Sequence, residues 1–367
     1  MTVELDKADE TGTAVAQTPP KKRLNREWAT AFGFIALAVA LLVLAPAVLS
    51  DFRLSLLGRF VCYAIVAVGI GLAWGRGGML TLGQGVFFGL GAYAMAMHLK
   101  LADAGAGGVP DFMKLYGSGQ VPGWWEPFRS PVFTVVAVVA VPALVAFGLG
   151  AAVFRRRVRG AYFAILSQAL AAAFAILLIG QQASIGGTNG LNGFRSFFGF
   201  NLYDPVNKRM LFYIAASVLL VMVLVVWQLY RSRYGELLVA VRDQEERVRF
   251  LGYDPANVKI VAYVVAAAMA GVAGALFVPI VGIISPASVG VVPSIAFLIG
   301  VAIGGRSTLF GPVVGAIAVA WAQTSLSEAF PSFWTYFQGA MFVLVVAFLP
   351  KGFASIGAFR KRKEAGA

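Results

Sequence analysis

Long apolar stretches without any charged side chain are the feature that most constrains this sequence. Four of them, 28–50, 131–154, 160–180 and 211–230, contain no Asp, Glu, Lys or Arg. A charge in hydrocarbon costs about 2.5 to 3.5 kcal/mol on insertion scales, so its exclusion from whole segments is typical of bilayer-spanning helices. Charged residues make up only 13% of the 367 residues and apolar residues 59%, which is more apolar surface than a soluble core absorbs.

These stretches predict an all-α fold, a polytopic transmembrane helical bundle of about ten spans, because about 20 helical residues cross the hydrocarbon layer. We expect spans at about 28–50, 54–74, 79–99, 131–154, 160–180, 211–230, 259–283, 292–304, 308–327 and 333–349. The eighth is short and bounded by Pro293 and Pro312. Short, interrupted helices often accompany a solute path in transporters.

Basic residues predict the orientation of the bundle. With both termini in the cytoplasm, the Arg cluster at 155–157 and the basic run at 360–363 lie inside, as the positive-inside rule requires. The reversed topology would put both outside. We expect a disordered cytoplasmic tail at 1–27, a transmembrane domain at 28–350 with its longest cytoplasmic loop at 231–258, and a basic cytoplasmic tail at 351–367.

Composition and motifs argue against several other functions. The net charge of +13 comes from residues at helix ends rather than on one patch, which indicates a lipid bilayer as partner and no nucleic acid. Cys62 is the only cysteine and His98 the only histidine, so neither a disulfide nor a His-based metal site is expected. The inner loops carry no paired carboxylates and no nucleophile beside a base, so we expect no enzyme.

Glycine is dense in the predicted spans, with 42 residues in the chain. Glycines spaced four apart let helices approach closely in lipid, which makes packing one explanation. Helix breaks along a solute path are the other. The candidate helix-break or packing residues are Gly83, Gly85, Gly89, Gly304 and Gly305.

The inner segment 231–259 predicts a short amphipathic helix. Leu238, Val241, Val248 and Leu251 recur at helical spacing, and Gly252 ends the pattern. Acidic and basic residues alternate between them, whereas lipid-seeking faces are mainly basic. Mixed charge favours docking to a cytoplasmic protein; a merely solvated loop is the alternative.

The run 240–253, AVRDQEERVRFLGY, resembles the ATPase-coupling segment of branched-chain amino-acid ABC permeases. Four further runs, 81–93, 186–191, 273–286 and 304–311, are similar to other motifs of that family. On this resemblance, the residues that couple ATP hydrolysis to transport are Arg242, Asp243, Glu245, Glu246, Arg249 and Gly252. We expect replacement of Glu245 or Gly252 to uncouple transport while the protein stays folded.

Within that family, the runs 109–113, 247–253 and 304–309 are similar to the urea-type second permease subunit, although Gln84 and Ser307 depart from its pattern. The resemblance implies an importer of the bacterial inner membrane for urea or a short-chain amide. Its partners would be a homologous permease, two cytoplasmic ATPase subunits and an extracytoplasmic solute-binding protein. A branched-chain or other amino-acid ABC permease is the alternative.

The chain contains no Gly-x-x-x-x-Gly-Lys-Ser/Thr phosphate-binding loop, so ATP would be hydrolysed by partner subunits and no cofactor is expected here. Gln84, Gln168 and Asn189 are the candidate solute-path residues. A core without fixed charge suits a neutral solute, although helix termini could meet the charged ends of an amino acid. The rival is an ion-coupled secondary transporter; proton-coupled carriers usually place Asp, Glu or His within the membrane, and of these only His98 lies in a predicted span.

Overall fold

A computed structural model describes residues 21–158 and 160–329, together with positions 333, 336, 337, 339, 340 and 343. Its α-helices are α1 (Lys21–Val39), α2 (Ala45–Val48), α3 (Asp51–Ile70), α4 (Gln84–Asp103), α5 (Asp111–Tyr116), α6 (Pro131–Phe154), α7 (Ala161–Gly180), α8 (Gln182–Ile185), α9 (Pro205–Arg231), α10 (Arg233–Phe250), α11 (Pro255–Val281), α12 (Val291–Gly304) and α13 (Gly311–Ala329). The strands are β1 (Leu191–Asn192), β2 (Ser196–Phe197), β3 (Phe200–Asn201) and β4 (Ile283–Ile284).

The predicted all-α polytopic bundle is confirmed. Within the described residues, eight helical segments are long and apolar enough to cross a membrane, and each of the first eight predicted spans overlaps one of them. They are Thr30–Val48, Asp51–Arg76, Gln84–Asp103, Pro131–Phe154, Ala161–Gly180, Pro205–Arg231, Pro255–Val281 and Pro286–Gly304. The nineteen-residue α13 occupies the position of the ninth predicted span.

The ends of the chain limit the comparison with the predicted regions. Helix α1 begins at Lys21, so the last residues of the tail expected at 1–27 are helical. The rest of that tail, the basic tail at 351–367 and most of the tenth predicted span lie outside the described residues.

Helices α3, α4 and α11 form the centre of the bundle, and most of their residues are buried. Glycine allows this close contact. A side chain at Gly91 of α4 would collide with the carbonyl group of Gly271 on α11, and one at Gly274 with the carbonyl group of Phe88. Backbone therefore meets backbone at the crossing, as small residues permit in lipid-embedded bundles.

Two connections between consecutive spans contain non-α-helical chain that packs against the bundle. Helix α3 continues as a π-helix over Gly71–Arg76, and residues 77–83 are then non-helical until α4 begins at Gln84. Helix α11 ends at Val281, and Gly282, strand β4 and a 3-10 turn at Pro286–Ser288 lead to α12 at Val291. Irregular backbone inside a membrane is tolerated only where protein or a water-filled cavity surrounds it.

Short strands and side-chain contacts hold the long loop at 181–210 against the bundle. Strands β1 and β4 pair antiparallel, with Leu191 opposite Ile284. The Asp103 carboxylate at the end of α4 accepts hydrogen bonds from the backbone N–H groups of Arg195 and Ser196, at 2.8 and 3.1 Å. The loop at 181–210 is thus tied to two of the central helices.

Candidate solute path and coupling helix

The start of α4 is held by serine side chains from two other helices. Ser167 Oγ of α7 accepts the Leu82 N–H at 3.0 Å, and Ser294 Oγ of α12 accepts the Gly85 N–H at 3.0 Å. These contacts stand in for a local cap, because Gly83 has no side chain with which to make one. The first turns of α4 and α12 therefore meet inside the bundle.

Glycine is needed at this meeting point. A side chain at Gly83 would collide with the Ser167 carbonyl group, and one at Gly85 with the Val289 carbonyl group. At Gly89, an added Cβ would lie 2.8 Å from the Phe174 ring. Gly83 and Gly85 thus lie both at the start of a helix and at a close contact between helices. Helix break and helix packing, the two explanations considered for these glycines, therefore both apply.

Gln84 is the most unusual polar residue of this region. Its side chain is 1% exposed, and neither Oε1 nor Nε2 has a hydrogen-bond partner among the described residues. The hydroxyl of nearby Thr81 is in the same condition. A buried polar group without a partner costs about 1 to 3 kcal/mol, so a water molecule or a solute is needed to satisfy them.

The other two predicted path residues lie in different surroundings. Gln168 is half-buried on α7, next to the Ser167 that contacts Leu82. Asn189 is exposed in the turn Gly187–Asn189. No hydrogen bond among the described residues joins either of them to Gln84.

A cavity of about 380 Å³ lies between α3, α11, α12 and α13. Most of its lining is apolar, and its polar side chains are Arg59, Tyr63, Ser288 and Gln323. No sequence pattern connects these four residues, because they come from distant parts of the chain. Their common position is visible only once the helices are packed.

Four aromatic rings separate this cavity from the start of α4. Tyr63, Phe277 and Phe297 line the cavity, and their ring centroids lie 5.2 to 5.8 Å apart where Tyr63 meets the two phenylalanines. Phe88, one turn beyond Gln84, contacts Phe277 and Phe297 at 5.2 and 5.6 Å. The cluster therefore forms the floor of the cavity on its α4 side.

A second cleft, of about 360 Å³, opens beside α10. The non-helical residues 77–80 form one wall, and the turn between α6 and α7 forms another. Arg242, Asp243, Glu245 and Lys259 supply its charged lining. Three of the predicted coupling residues thus border the interrupted segment that leads to Gln84.

The predicted amphipathic helix is present as α10, capped by Ser232, whose Oγ accepts the Gly235 N–H. Leu238, Val241 and Val248 are buried against the bundle, as an apolar stripe requires. Leu251 is different: it is 76% exposed. The backbone departs from helical geometry at Gln244, with φ −147° and ψ 70°, and Gly252, with φ +87°, follows the end of the helix. Leu251 therefore lies away from the buried face of α10.

Side-chain hydrogen bonds bind α10 to the bundle. The Tyr234 hydroxyl donates to the carbonyl oxygen of Val258 on α11 at 2.8 Å. Arg242 Nη1 donates to the carbonyl oxygen of Gly75 at 2.7 Å, at the end of the π-helix. Lys259 Nζ on α11 donates to Glu245 Oε2 at 2.8 Å. The side chains of Lys259 and Glu245 are only 13% and 15% exposed, so this ion pair is largely shielded from water.

The remaining predicted coupling residues make more exposed contacts. Arg242 Nε donates to Asp243 Oδ1 at 2.7 Å, and this hydrogen bond lowers the pKa of Asp243 below its ordinary value. Arg249 Nη1 donates to Glu246 Oε2 at 3.0 Å. Asp243 therefore stays ionised at neutral pH.

Exposed apolar side chains lie at and just after the C-terminal end of α10. Phe250 is 89% exposed, and Leu251 and Tyr253 beside it are also exposed. Sequence reasoning missed Phe250 because helical periodicity identifies the buried face and not the residues opposite it. Exposed large apolar side chains at one helix end are typical of protein contact surfaces.

The predicted glycines of the C-terminal half lie between α12 and α13. A side chain at Gly304 would collide with the carbonyl group of Gly311. Gly305 has φ +103° and ends α12, a conformation that L-residues rarely adopt. Gly304 is therefore a packing position and Gly305 a helix end.

A family model described as "branched-chain amino acid transport system / permease component" matches residues 52–346. The chain is 29% identical to the high-affinity branched-chain amino acid transport system permease protein LivM of Escherichia coli (strain K12) over 340 residues, which cover 86% of this chain and 73% of that protein. It is 28% identical, over the same shares, to LivM of Salmonella typhimurium (strain LT2). No solved structure matches. The chain therefore belongs to the branched-chain amino acid transport system permease family, as a multi-pass inner-membrane ABC transporter subunit and not an enzyme.

Proposed function

We propose that this permease subunit provides part of the path for an amino acid with a branched apolar side chain. Both relatives carry that substrate class in their names. The urea-type specificity that the motifs at 109–113 and 247–253 imply has no support from these relatives. The amino acid, which the sequence left as the alternative, is therefore the better-supported solute.

We further propose the partners that an importer of this kind needs. They are a homologous permease, two cytoplasmic ATPase subunits and an extracytoplasmic solute-binding protein. The supporting observation is α10, which presents Phe250, Leu251 and Tyr253 away from the bundle. Apolar and aromatic side chains surrounded by charges are typical anchors of a protein interface. In this proposal α10 and both chain termini lie in the cytoplasm.

Two contacts would transmit movement of the ATPases into the membrane. The Glu245–Lys259 ion pair joins α10 to the first turns of α11, which lies at the centre of the bundle. The Arg242–Gly75 hydrogen bond joins α10 to the chain just before the non-helical residues 77–83. Displacement of α10 would therefore change the cleft beside residues 77–80 and the position of Gln84. The Glu245–Lys259 and Arg242–Gly75 contacts are the observation that carries the proposed coupling.

Coupling to ATP distinguishes this function from ion-driven secondary transport. The test is uptake of labelled L-leucine by proteoliposomes that contain this chain assembled with its partner subunits and the binding protein. We expect leucine uptake to require ATP on the side of the membrane where the ATPase subunits lie and to persist without an ion gradient. L-Isoleucine should inhibit this uptake, and urea should not.

Three results would contradict the proposal in different ways. Labelled urea uptake without leucine uptake would restore the urea-type specificity. Uptake that follows a proton or sodium gradient without ATP would identify a secondary transporter. Uptake that needs neither ATP nor a gradient would identify a passive channel. A complex assembled without this chain is the matched control, and it should show no uptake of either solute.

A further inference from the structure

Arg59 is a cation inside a predicted membrane span, and no carboxylate among the described residues pairs with it. It lies on α3, and within the described part of the chain it forms no ion pair. Its Nε donates to the Tyr63 hydroxyl at 3.0 Å, and its guanidinium carbon lies 5.5 Å from the Tyr63 ring centroid. Cations at membrane depth are costly and are therefore usually functional.

The cavity beside Arg59 has the composition of an amino-acid site. Its volume of about 380 Å³ falls within the range of about 300 to 1,000 Å³ that is usual for small-molecule pockets. None of its described lining residues is acidic, and one wall is formed by Phe277, Phe297 and Val281. Ser288 and Gln323 provide oxygen atoms that accept hydrogen bonds.

The start of α12 reinforces the charge of Arg59. Val292 and Pro293, in the first turn of this fourteen-residue helix, line the same cavity. The N-terminus of a helix carries partial positive charge and favours anions. A guanidinium group and a helix N-terminus thus act on one apolar space that contains no negative charge among its described lining residues.

We propose that this cavity binds the transported solute and that Arg59 recognises its carboxylate group. This inference rests on the proposed amino-acid function and adds the site and the chemical class. The carboxylate pairs with Arg59, the ammonium group meets the oxygens of Ser288 and Gln323, and the apolar side chain packs on Phe277 and Phe297. A neutral solute such as urea would leave the cation unpaired.

The experiment measures equilibrium binding of labelled L-leucine to the assembled transporter in nanodiscs, without the binding protein and without nucleotide. We expect Arg59→Gln to weaken binding about tenfold or more, because a charged hydrogen-bonded partner is lost. Arg59→Lys should retain part of the affinity. L-Leucinamide, which lacks the carboxylate, should compete poorly against the wild-type complex.

Arg53→Gln is the matched control, because Arg53 lies on the same helix but faces a different pocket. Its affinity for leucine should equal that of the wild type. The inference is overturned if a complex that imports leucine shows no binding to its membrane subunits, if Arg59→Gln binds as tightly as wild type, or if leucinamide competes as well as leucine. Should Arg59→Gln fail to assemble, the leucinamide competition decides alone. If the proposed function itself is wrong, the wild-type complex will show no amino-acid uptake in the proteoliposome assay, which distinguishes that outcome from failure of the Arg59 site.

Discussion

Lys259 Nζ lies 2.8 Å from Glu245 Oε2 and joins α11, at the centre of the bundle, to α10 on its edge. Both side chains are largely buried. Removal of one member of such a pair leaves the other charged in a place that water reaches poorly. The contact is therefore a mechanical link whose loss also has a cost in stability.

We expect Glu245→Gln to lower the stability of the subunit by about 1.5 to 3 kcal/mol, the range for a hydrogen bond to a charged group. Transport per ATP hydrolysed should fall as well, because α10 loses its ion pair with α11. Thermal unfolding of the purified complex and the ratio of leucine imported to ATP hydrolysed measure the two effects. Glu246→Gln, at a more exposed ion pair, is the control and should change stability by about 1 kcal/mol or less.

Exchanging the two charges tests whether the ion pair itself, rather than the identity of either residue, is responsible for the effect. Glu245→Lys combined with Lys259→Glu should recover most of the stability and the transport ratio lost in Glu245→Gln. A double variant that stays as uncoupled as the single one would show that Glu245 acts through some other contact.

Gly252 ends α10 with a positive φ of 87°. A residue with a Cβ is disfavoured there by about 1 to 2 kcal/mol, although a Cβ would meet no neighbouring atom. We expect Gly252→Ala to leave the subunit folded and to reduce transport by displacing Phe250 and Leu251. Gly252→Asn should have the smaller effect, since Asn tolerates this conformation. Equal transport by both variants and the wild type would exclude a role for this turn.

Phe250 is predicted to be an anchor for an ATPase subunit. We expect Phe250→Ala to weaken binding of the ATPase to the purified permease pair by about fivefold or more, as truncation of an aromatic anchor commonly does. Surface immobilisation of the permease pair gives the affinity. Phe147→Ala, at an exposed position in the middle of α6, is the control. Unchanged affinity for Phe250→Ala would move the docking surface elsewhere.

Charge exclusion predicts the spans well because it reflects the bilayer, and the bilayer acts on each helix separately. Charge exclusion does not predict which faces of the helices pack against one another. For that reason the sequence describes the core as free of fixed charge, whereas the structure places Arg59 on the wall of a cavity. The neighbours of Arg59 there come from α11, α12 and α13, and their arrangement depends on packing.

Periodicity has a similar limit in α10. It identifies Leu238, Val241 and Val248 as the buried face, because these residues follow one helical turn after another. It also includes Leu251, which is exposed, because the pattern continues past the point where the backbone stops being helical. The triplet Gly83-Gln84-Gly85 does indicate a helix break, but the contacts of Ser167 with Leu82 and of Ser294 with Gly85 join residues that are 85 and 209 positions apart, so they depend on how the helices pack.

Gln84 offers a test in which stability and transport should move in opposite directions. Its amide is buried without a partner among the described residues, so an apolar side chain of similar shape removes an unmet hydrogen-bonding need. We expect Gln84→Met to raise the unfolding temperature of the complex and to reduce leucine uptake. Gln228→Met, at an exposed position on α9, is the control and should change neither the unfolding temperature nor leucine uptake to a comparable degree. A destabilised Gln84→Met variant would mean that ordered water or another group already satisfies the amide, whereas a stabilised variant with normal uptake would remove Gln84 from the solute path.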